Sequence, residues 1–154
     1  STFALYLPYQ EVPREVAERS LSHKKNVDED KRKKILVVED IESNFVQLNI
    51  LLNKEYIISW VRNGQEAINS FIREKPDLIL MDIQMPIMDG YKATRAIRRF
   101  SDKKKAGIPI VAMTANAFQD DIRDCIDAGM NAHIAKPIDI KTILAVFDLV
   151  FGTS

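Results

Sequence analysis

The sequence has little cysteine and no excess of charge. One cysteine, Cys125, stands among its 154 residues, so no disulfide can form within the chain, which fits a reducing, cytoplasmic setting. The 22 basic residues balance the 22 acidic ones, which gives no support for capture of nucleic acid or of an anionic membrane. No apolar run approaches the ~20 residues that span a bilayer. We therefore expect a soluble, cytoplasmic chain without direct nucleic-acid or membrane contact, although a longer parent chain could carry a membrane anchor.

Glycine is also scarce, with five in the chain, and its absence from one place excludes a class of enzyme. A dinucleotide-binding α/β oxidoreductase needs a glycine-rich turn after its first strand. The corresponding segment, "VVEDIESN", contains no glycine. Its acidic residues would also repel the phosphate of FMN, which argues against a flavodoxin-like electron carrier.

Short apolar runs do recur from Lys34 onward, and they predict five β-strands because each is too short for a helix. They are "ILVV", "YIISWV", "LILM", "IPIVAM" and "AHIA". Apolar residues at helical spacing lie after each run, with Asp139 as the predicted N-cap of the last helix and Gly129 as the predicted end of the fourth. Five strands alternating with five helices predict a doubly wound parallel α/β fold with helices on both faces. Trp60 and Cys125 are predicted core residues.

The first 32 residues have a different character. Residues 1–8, "STFALYLP", are strand-like, whereas residues 9–32 lead into the run "HKKNVDEDKRKK", which cannot bury enough apolar area to offset its ordering entropy. We predict a charged linker over residues 9–32 and one domain over residues 33–152. Because the chain opens on a strand-like segment rather than on Met, we expect it to be a segment of a longer protein.

Polar residues stand where the predicted strands end. In doubly wound sheets, ligands gather at the carboxyl ends of the strands. Glu39 and Asp40 follow the first strand, Asp82 ends the third, Thr114 ends the fourth and Lys136 follows the fifth. Three carboxylates brought together repel one another unless a cation binds. Hard oxygen ligands in a small, partly hydrated site favour Mg²⁺, so we predict a magnesium site.

This set of residues suits phosphoryl transfer. An aspartate can attack phosphorus and form an acyl phosphate, and the protein then has to position the group and neutralise its oxygens. We interpret Asp82 as the nucleophile, Lys136 as the partner of the phosphoryl oxygens and Thr114 as a hydrogen-bond donor to one of them. The alternative is a phosphatase-like α/β enzyme with an aspartyl-phosphate intermediate. A haloacid-dehalogenase-type phosphatase would want a second acid where Gln84 stands.

Four segments carry a resemblance to the receiver domain of two-component signalling, over about residues 33–151. They are "KILVVED", "LILMDIQMPIMDGYKATRAIR", "IPIVAMTANA" and "DAGMNAHIAKPID". The resemblance implies a flavodoxin-like sheet of strand order 2-1-3-4-5, Asp82 as the phosphoacceptor, and Glu39 with Asp40 as the acidic pair. It also implies a metal contact from the backbone carbonyl of Gln84.

The same resemblance implies a conformational switch formed by Thr114 and Lys136, and a cis bond before Pro137. His133 departs from the family pattern, because it stands where receivers often have Tyr or Phe. This difference suggests a weaker or differently gated aromatic switch. Phosphorylation is expected to change the surface formed by the fourth helix, the fifth strand and the fifth helix, which partners would read.

The segments "MDIQMPIMDG" and "TANA" resemble those of receivers fused to hybrid sensor histidine kinases. The segment "STFALYLP" is similar to the closing strand of a histidine-kinase ATP-binding domain. The resemblance implies a phosphorelay switch that takes phosphoryl from a histidine and is not itself an enzyme beyond its own phosphorylation and dephosphorylation. The implied parent is a histidine protein kinase, and the implied partner is a histidine kinase core or a histidine phosphotransfer protein. The sequence leaves open whether the chain forms a homodimer.

Overall fold

The computed structural model describes residues 3–5, 32–115 and 119–152. Its strands are β1 (Phe3–Leu5), β2 (Lys34–Val38), β3 (Ile57–Val61), β4 (Leu78–Asp82), β5 (Ile110–Thr114) and β6 (Ala132–Ala135). Its helices are α1 (Glu42–Leu52), α2 (Gly64–Glu74), α3 (Gly90–Arg98), α4 (Lys103–Ala106), α5 (Gln119–Ala128) and α6 (Ile140–Phe151). The predicted linker lies outside the described residues except for Arg32. Within the described part of the chain, no helix has the length and apolar character needed to cross a membrane.

The strands form one sheet of order β1-β6-β5-β4-β2-β3. The five strands from β2 to β6 are parallel, and counted from β2 their order is the predicted 2-1-3-4-5. The expected parallel core of the sheet is therefore confirmed. Strand β1 was not predicted to join it: β1 pairs antiparallel with β6, and Ala4 lies opposite His133.

Helices cover both faces of the sheet, which confirms the doubly wound architecture. Because successive side chains of a strand point to opposite faces, β2 sends Ile35 and Val37 to one apolar core, and Leu36 and Val38 to the other. The first core contains buried residues of α1 and α6, including Leu48, Leu52, Ile143 and Phe147. The second contains buried residues of α2, α3 and α5, including Phe71, Ile97 and Cys125.

Local capping interactions fix several helix ends next to the strands. The side chain of Asp139 accepts a hydrogen bond from the Thr142 N–H at 2.8 Å, and Asp89 accepts one from the Lys92 N–H at 2.9 Å. Gly129 follows α5 with φ +105°, a left-handed conformation that glycine adopts without a side-chain clash. The predicted helix boundaries at Gly129 and Asp139 are confirmed.

Trp60 is not the core residue that the sequence predicted. All five residues of β3 are half-buried, because β3 is the outermost strand on its side of the sheet. Cys125, in contrast, is buried as predicted, with 1% of its surface exposed. An apolar run therefore identified β3 as a strand but did not reveal that it lies at an edge.

Candidate active site

The carboxyl end of the parallel sheet carries the five polar residues that the sequence placed at strand ends. Glu39 and Asp40 follow β2, Asp82 ends β4, Thr114 ends β5 and Lys136 follows β6. A crevice of about 320 Å³ opens here, and all of these residues except Glu39 line it. Five groups from four strands thus meet at one place.

The three acids lie close enough to share one cation. One carboxylate oxygen from each of Glu39, Asp40 and Asp82 lies within 4.8 Å of the others. Lys136 Nζ lies 3.1 Å from Glu39 Oε1 and 3.5 Å from Asp82 Oδ1. Three carboxylates and one ammonium leave two negative charges unbalanced when all are ionised. A group of hard oxygen atoms with residual negative charge fits Mg²⁺.

The protonation of the two buried acids reflects this repulsion. Burial, together with the hydrogen bond and the negative charge of Glu39, raises the pKa of Asp82 to about 7. For Glu39, burial alone acts to raise the pKa, but hydrogen bonds with Asp82 and Lys136 outweigh it and hold the pKa below its usual range. Below about pH 7 the pair therefore retains a proton, which a bound cation would displace.

The position of Glu39 is fixed by neighbouring backbone groups. Its Oε2 accepts a hydrogen bond from the Ile41 N–H at 3.3 Å, and its own N–H donates to the Val61 carbonyl at 3.1 Å. The side chain is fully buried. These contacts hold the carboxylate next to Lys136 and Asp82.

The loop after Asp82 passes very close to the strand it leaves. A Cβ atom on Gly90 would lie 2.4 Å from the Asp82 carbonyl oxygen, so only glycine fits there. The Gly90 N–H donates to the Ile83 carbonyl at 2.9 Å. The loop also carries Ile87 in a left-handed conformation with φ +70°. This tight return allows α3 to begin directly beside the phosphoacceptor candidate.

The remaining predicted site residues differ in where they lie relative to the crevice. Gln84 is exposed and lines the crevice. The Lys136–Pro137 peptide bond is cis, which is the form that the resemblance implies. His133 lies in β6 and does not line the crevice; its side chain is buried, and this burial lowers its pKa.

Two further crevice residues, Asn44 and Tyr91, were missed by the sequence interpretation. Asn44 lies in the first turn of α1, close behind the acidic pair, and Tyr91 lies in the first turn of α3. Each lies in the first turn of the helix that follows a predicted strand end, so a search extended into that turn would have found both.

A second, more apolar groove adjoins the crevice. It has a volume of about 620 Å³, and its lining includes Asn44, Leu48, Leu51, Pro137 and Ile138. Helix α1 exposes apolar side chains that line it: Ile50 is 67% exposed and Leu51 is 39% exposed. This side of the candidate site is therefore an apolar surface.

Comparison with known families shows which family the chain belongs to. Residues 35–148 match the family described as the response regulator receiver domain. The chain belongs to this family. The fold described above is that of a receiver domain.

Similar proteins include solved receivers and much longer kinases. The receiver domain of a sensor histidine kinase from Pseudomonas aeruginosa, which has a magnesium ion coordinated in its active site cleft, is 36% identical, with a TM-score of 0.72 over 79% of this chain and 99% of that chain. A probable histidine kinase 1 of Oryza sativa subsp. indica is 34% identical, with 82% of this chain covered. Hybrid signal transduction histidine kinase B of Dictyostelium discoideum is 41% identical, with 75% of this chain covered. This receiver spans 16% and 6% of the length of those two kinases.

Proposed function

We propose that this receiver domain is a phosphorylation-operated switch of a two-component phosphorelay that takes a phosphoryl group from a histidine onto Asp82. The observation that carries the proposal is the position of Lys136, whose Nζ lies 3.1 Å from Glu39 Oε1 and 3.5 Å from Asp82 Oδ1. An ammonium group at this place can turn from the two acids to the oxygens of an incoming phosphoryl group. Membership of the receiver family supports the same assignment.

Mg²⁺ is the cofactor that we infer. The carboxylates of Glu39, Asp40 and Asp82 and the backbone carbonyl of Gln84 would hold it. When bound, Mg²⁺ supplies positive charge beside the phosphoryl oxygens. The close approach of the three acids supports this inference, as does the magnesium ion in the related receiver from Pseudomonas aeruginosa.

In the transfer, one carboxylate oxygen of Asp82 attacks the phosphorus atom. The new O–P bond forms while the P–N bond to the donor histidine breaks, and the electron pair of that bond remains on the imidazole nitrogen. The product is an acyl phosphate on Asp82. Lys136 offsets charge on the transferred oxygens, and the Thr114 hydroxyl donates a hydrogen bond to one of them. Asp82 reacts as the carboxylate, so loss of its proton has to precede the attack.

Thr114, Lys136 and His133 form the proposed switch. Thr114 lies opposite Ala135 in the pairing of β5 with β6, and the Lys136 N–H donates to the Thr114 carbonyl at 2.8 Å. Because these backbones are bonded directly, movement of Thr114 toward the phosphoryl group would be passed on to β6. We propose that the surface formed by α5, β6 and α6 changes in this way, with His133 as the responding ring.

The proposed partner is a histidine kinase core or a histidine phosphotransfer protein. Such a partner has to present a histidine at the crevice, and the exposed apolar side chains of Ile50 and Leu51 on α1 line the groove beside it. An exposed apolar surface of this kind is typical of a protein interface. We further propose a cytoplasmic location, no direct contact with nucleic acid or membrane, and homodimer formation.

We also propose that this receiver, over residues 33–152, belongs to a hybrid histidine kinase. The similarity to hybrid kinases supports this proposal. In that parent, residues 1–8 would come from the ATP-binding domain; residues 3–5 do form a strand. By itself the fragment would turn over no substrate beyond its own phosphorylation and dephosphorylation.

The experiment that tests the proposal is labelling of the chain by acetyl phosphate with Mg²⁺, compared with Asp82→Asn. The wild type should take up one acid-stable, base-labile phosphoryl group, and Asp82→Asn should take up none. Asp127→Asn, which alters an exposed acid of α5, is the matched control and should label normally. Undiminished labelling of Asp82→Asn would remove the central assignment. Steady hydrolysis of p-nitrophenyl phosphate by the wild type would favour the phosphatase-like alternative.

A further inference from the structure

The single tryptophan of the chain lies against the loop that carries the acidic pair. Trp60 Nε1–H donates a hydrogen bond to the Glu39 carbonyl oxygen at 2.8 Å. The Glu39 N–H donates to the Val61 carbonyl at 3.1 Å. Both backbone polar groups of Glu39 are therefore bonded to β3, and one of these two bonds depends on a side chain.

The indole ring is itself held by two neighbours. Phe45 of α1 stacks on it, with ring centroids 4.4 Å apart and an angle of 2° between the planes. Arg62 Cζ lies over the ring, 4.3 Å from its centroid, within the range of a cation–π interaction. The indole ring is thus hydrogen-bonded to Glu39 at one end of the loop. It also packs on α1, which begins at the other end of the loop.

We propose that Trp60 is a positioning residue for the metal site. Its indole N–H holds the peptide that joins Glu39 to Asp40, and so sets the place of both carboxylates before a cation arrives. Three acids within 4.8 Å of one another repel, and the loop that carries two of them would otherwise relax away from Asp82. Holding ligands in their binding positions reduces the cost of binding. The inference rests on the proposed Mg²⁺-dependent acceptance of a phosphoryl group.

Trp60→Phe separates positioning from packing, because phenylalanine keeps a ring for the stack with Phe45 but has no N–H donor. We expect the Kd for Mg²⁺ to rise about threefold to tenfold, which corresponds to the loss of one hydrogen bond. At saturating Mg²⁺ the rate of labelling by acetyl phosphate should return to that of the wild type, because Asp82 and Lys136 are unchanged. Arg62→Gln keeps the donor but loosens the ring, so it should raise the Kd by a smaller factor.

The Kd is measured by Mg²⁺ titration of ¹⁵N-labelled protein, followed by NMR. The wild type has one indole N–H signal, which should shift with the same Kd as the Asp40 amide. Phe100→Leu is the control: it removes an edge contact with Phe71 at 5.5 Å and should lower stability without changing the Kd. If Trp60→Phe and Arg62→Gln both bind Mg²⁺ with the wild-type Kd, the inference is wrong. It is also wrong if the indole N–H signal does not shift during the titration. Neither result would contradict the proposed function. A wild type that neither binds Mg²⁺ nor labels overturns the proposed function, and this inference with it.

Discussion

The two ends of the parallel sheet both hold partly or fully buried charged side chains, but they surround those charges differently. At the amino end, near the starts of β5 and β6, the Arg98 guanidinium donates to the carbonyl oxygens of Ala106, Ile108 and Gly129 and to the side-chain oxygen of Asn131, at 2.5 to 2.8 Å. All of these acceptors are neutral, and together they surround one positive charge. Hydrogen bonds from a charged donor to such acceptors are stronger than neutral ones.

The carboxyl end is arranged in the opposite way. Glu39 and Asp82 share a single lysine, and burial with the neighbouring Glu39 raises the pKa of Asp82 to about 7. Here the like charges repel and the favourable contacts do not fully compensate. A perturbed acid of this kind is typical of a functional site. The amino end thus surrounds its charge with neutral acceptors, whereas the carboxyl end keeps repelling acids together at a cost in stability.

The largest expected effect comes from breaking the amino end with Arg98→Met. Methionine keeps much of the apolar stem but leaves several buried acceptors without a donor, so the free energy of unfolding should fall by about 3 to 5 kcal/mol. Denaturant unfolding measures this change. Labelling of Asp82 in the remaining folded protein should be normal.

Arg95→Met is the control for that variant, because Arg95 is an exposed residue of the same helix. Its free energy of unfolding should stay within about 0.5 kcal/mol of the wild type. Equal losses in the two variants would show that the hydrogen bonds of Arg98 contribute little.

The next largest effect comes from removing the repulsion at the carboxyl end with Asp82→Asn. In buffer without divalent cations at pH 8, we expect the free energy of unfolding to rise by about 1 to 3 kcal/mol. Asparagine carries no charge and can donate a hydrogen bond to Glu39. Calorimetry or denaturant unfolding with EDTA and with Mg²⁺ checks the prediction: Mg²⁺ should stabilise the wild type more than the variant.

The pH dependence of this difference has a definite sign. The folded state binds the Asp82 proton more tightly than the unfolded chain does, so the wild type loses stability as pH rises from ~4 toward about 7. The advantage of Asp82→Asn should therefore be small at pH 4 and full at pH 8. An advantage that is constant with pH would contradict the raised pKa.

Residues at strand ends could be predicted from the sequence because the topology alone decides where they lie. Once the apolar runs ending at Asp82 and Thr114 were identified as neighbouring parallel strands, their side chains had to meet at one end of the sheet. The strand order from β2 to β6, in contrast, came from the resemblance to receiver domains and not from the apolar runs. No side-chain geometry was needed for either prediction.

The contacts of Arg98 and Trp60 could not be predicted in this way. Arg98 bonds to Gly129 and Asn131, which lie 31 and 33 residues further along the chain, and an arginine near a helix end otherwise looks like a solvated residue. Trp60 stands in an apolar run that is equally typical of a core strand and an edge strand. The pairing of β1 with β6 joins residues near opposite ends of the chain. Each of these features depends on tertiary contacts rather than on local pattern.

His133 should give the domain a second pH dependence, which His133→Phe removes. Burial lowers the pKa of His133, so the unfolded chain takes up a proton near pH 6.5 that the folded chain does not. His133 therefore lowers the free energy of unfolding as pH falls through and below that value. The effect of Asp82 has the opposite sign, because its raised pKa lowers the free energy of unfolding as pH rises. In the Asp82→Asn background, the free energy of unfolding of His133→Phe relative to its parent should increase as pH is lowered from 8 to ~5.5. A difference that shrinks as pH falls would contradict the lowered pKa.

The smallest expected effect tests whether backbone strain at the carboxyl end of the sheet also lowers the free energy of unfolding. Ile87 has φ +70° and is 84% exposed, and the Met88 N–H donates across it to the Pro86 carbonyl at 2.7 Å. A β-branched residue in this left-handed conformation costs about 1 to 2 kcal/mol, and glycine recovers most of that despite its greater freedom when unfolded. Ile87→Gly should therefore raise the free energy of unfolding by about 0.5 to 1 kcal/mol.

Lys75 provides the matched control at the amino end, since it has φ +53° just after α2 and lacks a branched Cβ. Lys75→Gly should gain less stability than Ile87→Gly, as measured by denaturant unfolding of the two variants side by side. An equal gain would mean that the strain is a general feature of left-handed residues in this fold and not a particular cost of the loop beside Asp82. A loss of stability in Ile87→Gly would mean that the exposed side chain makes contacts that outweigh the strain, and the carboxyl end would then owe its lower stability to charge alone.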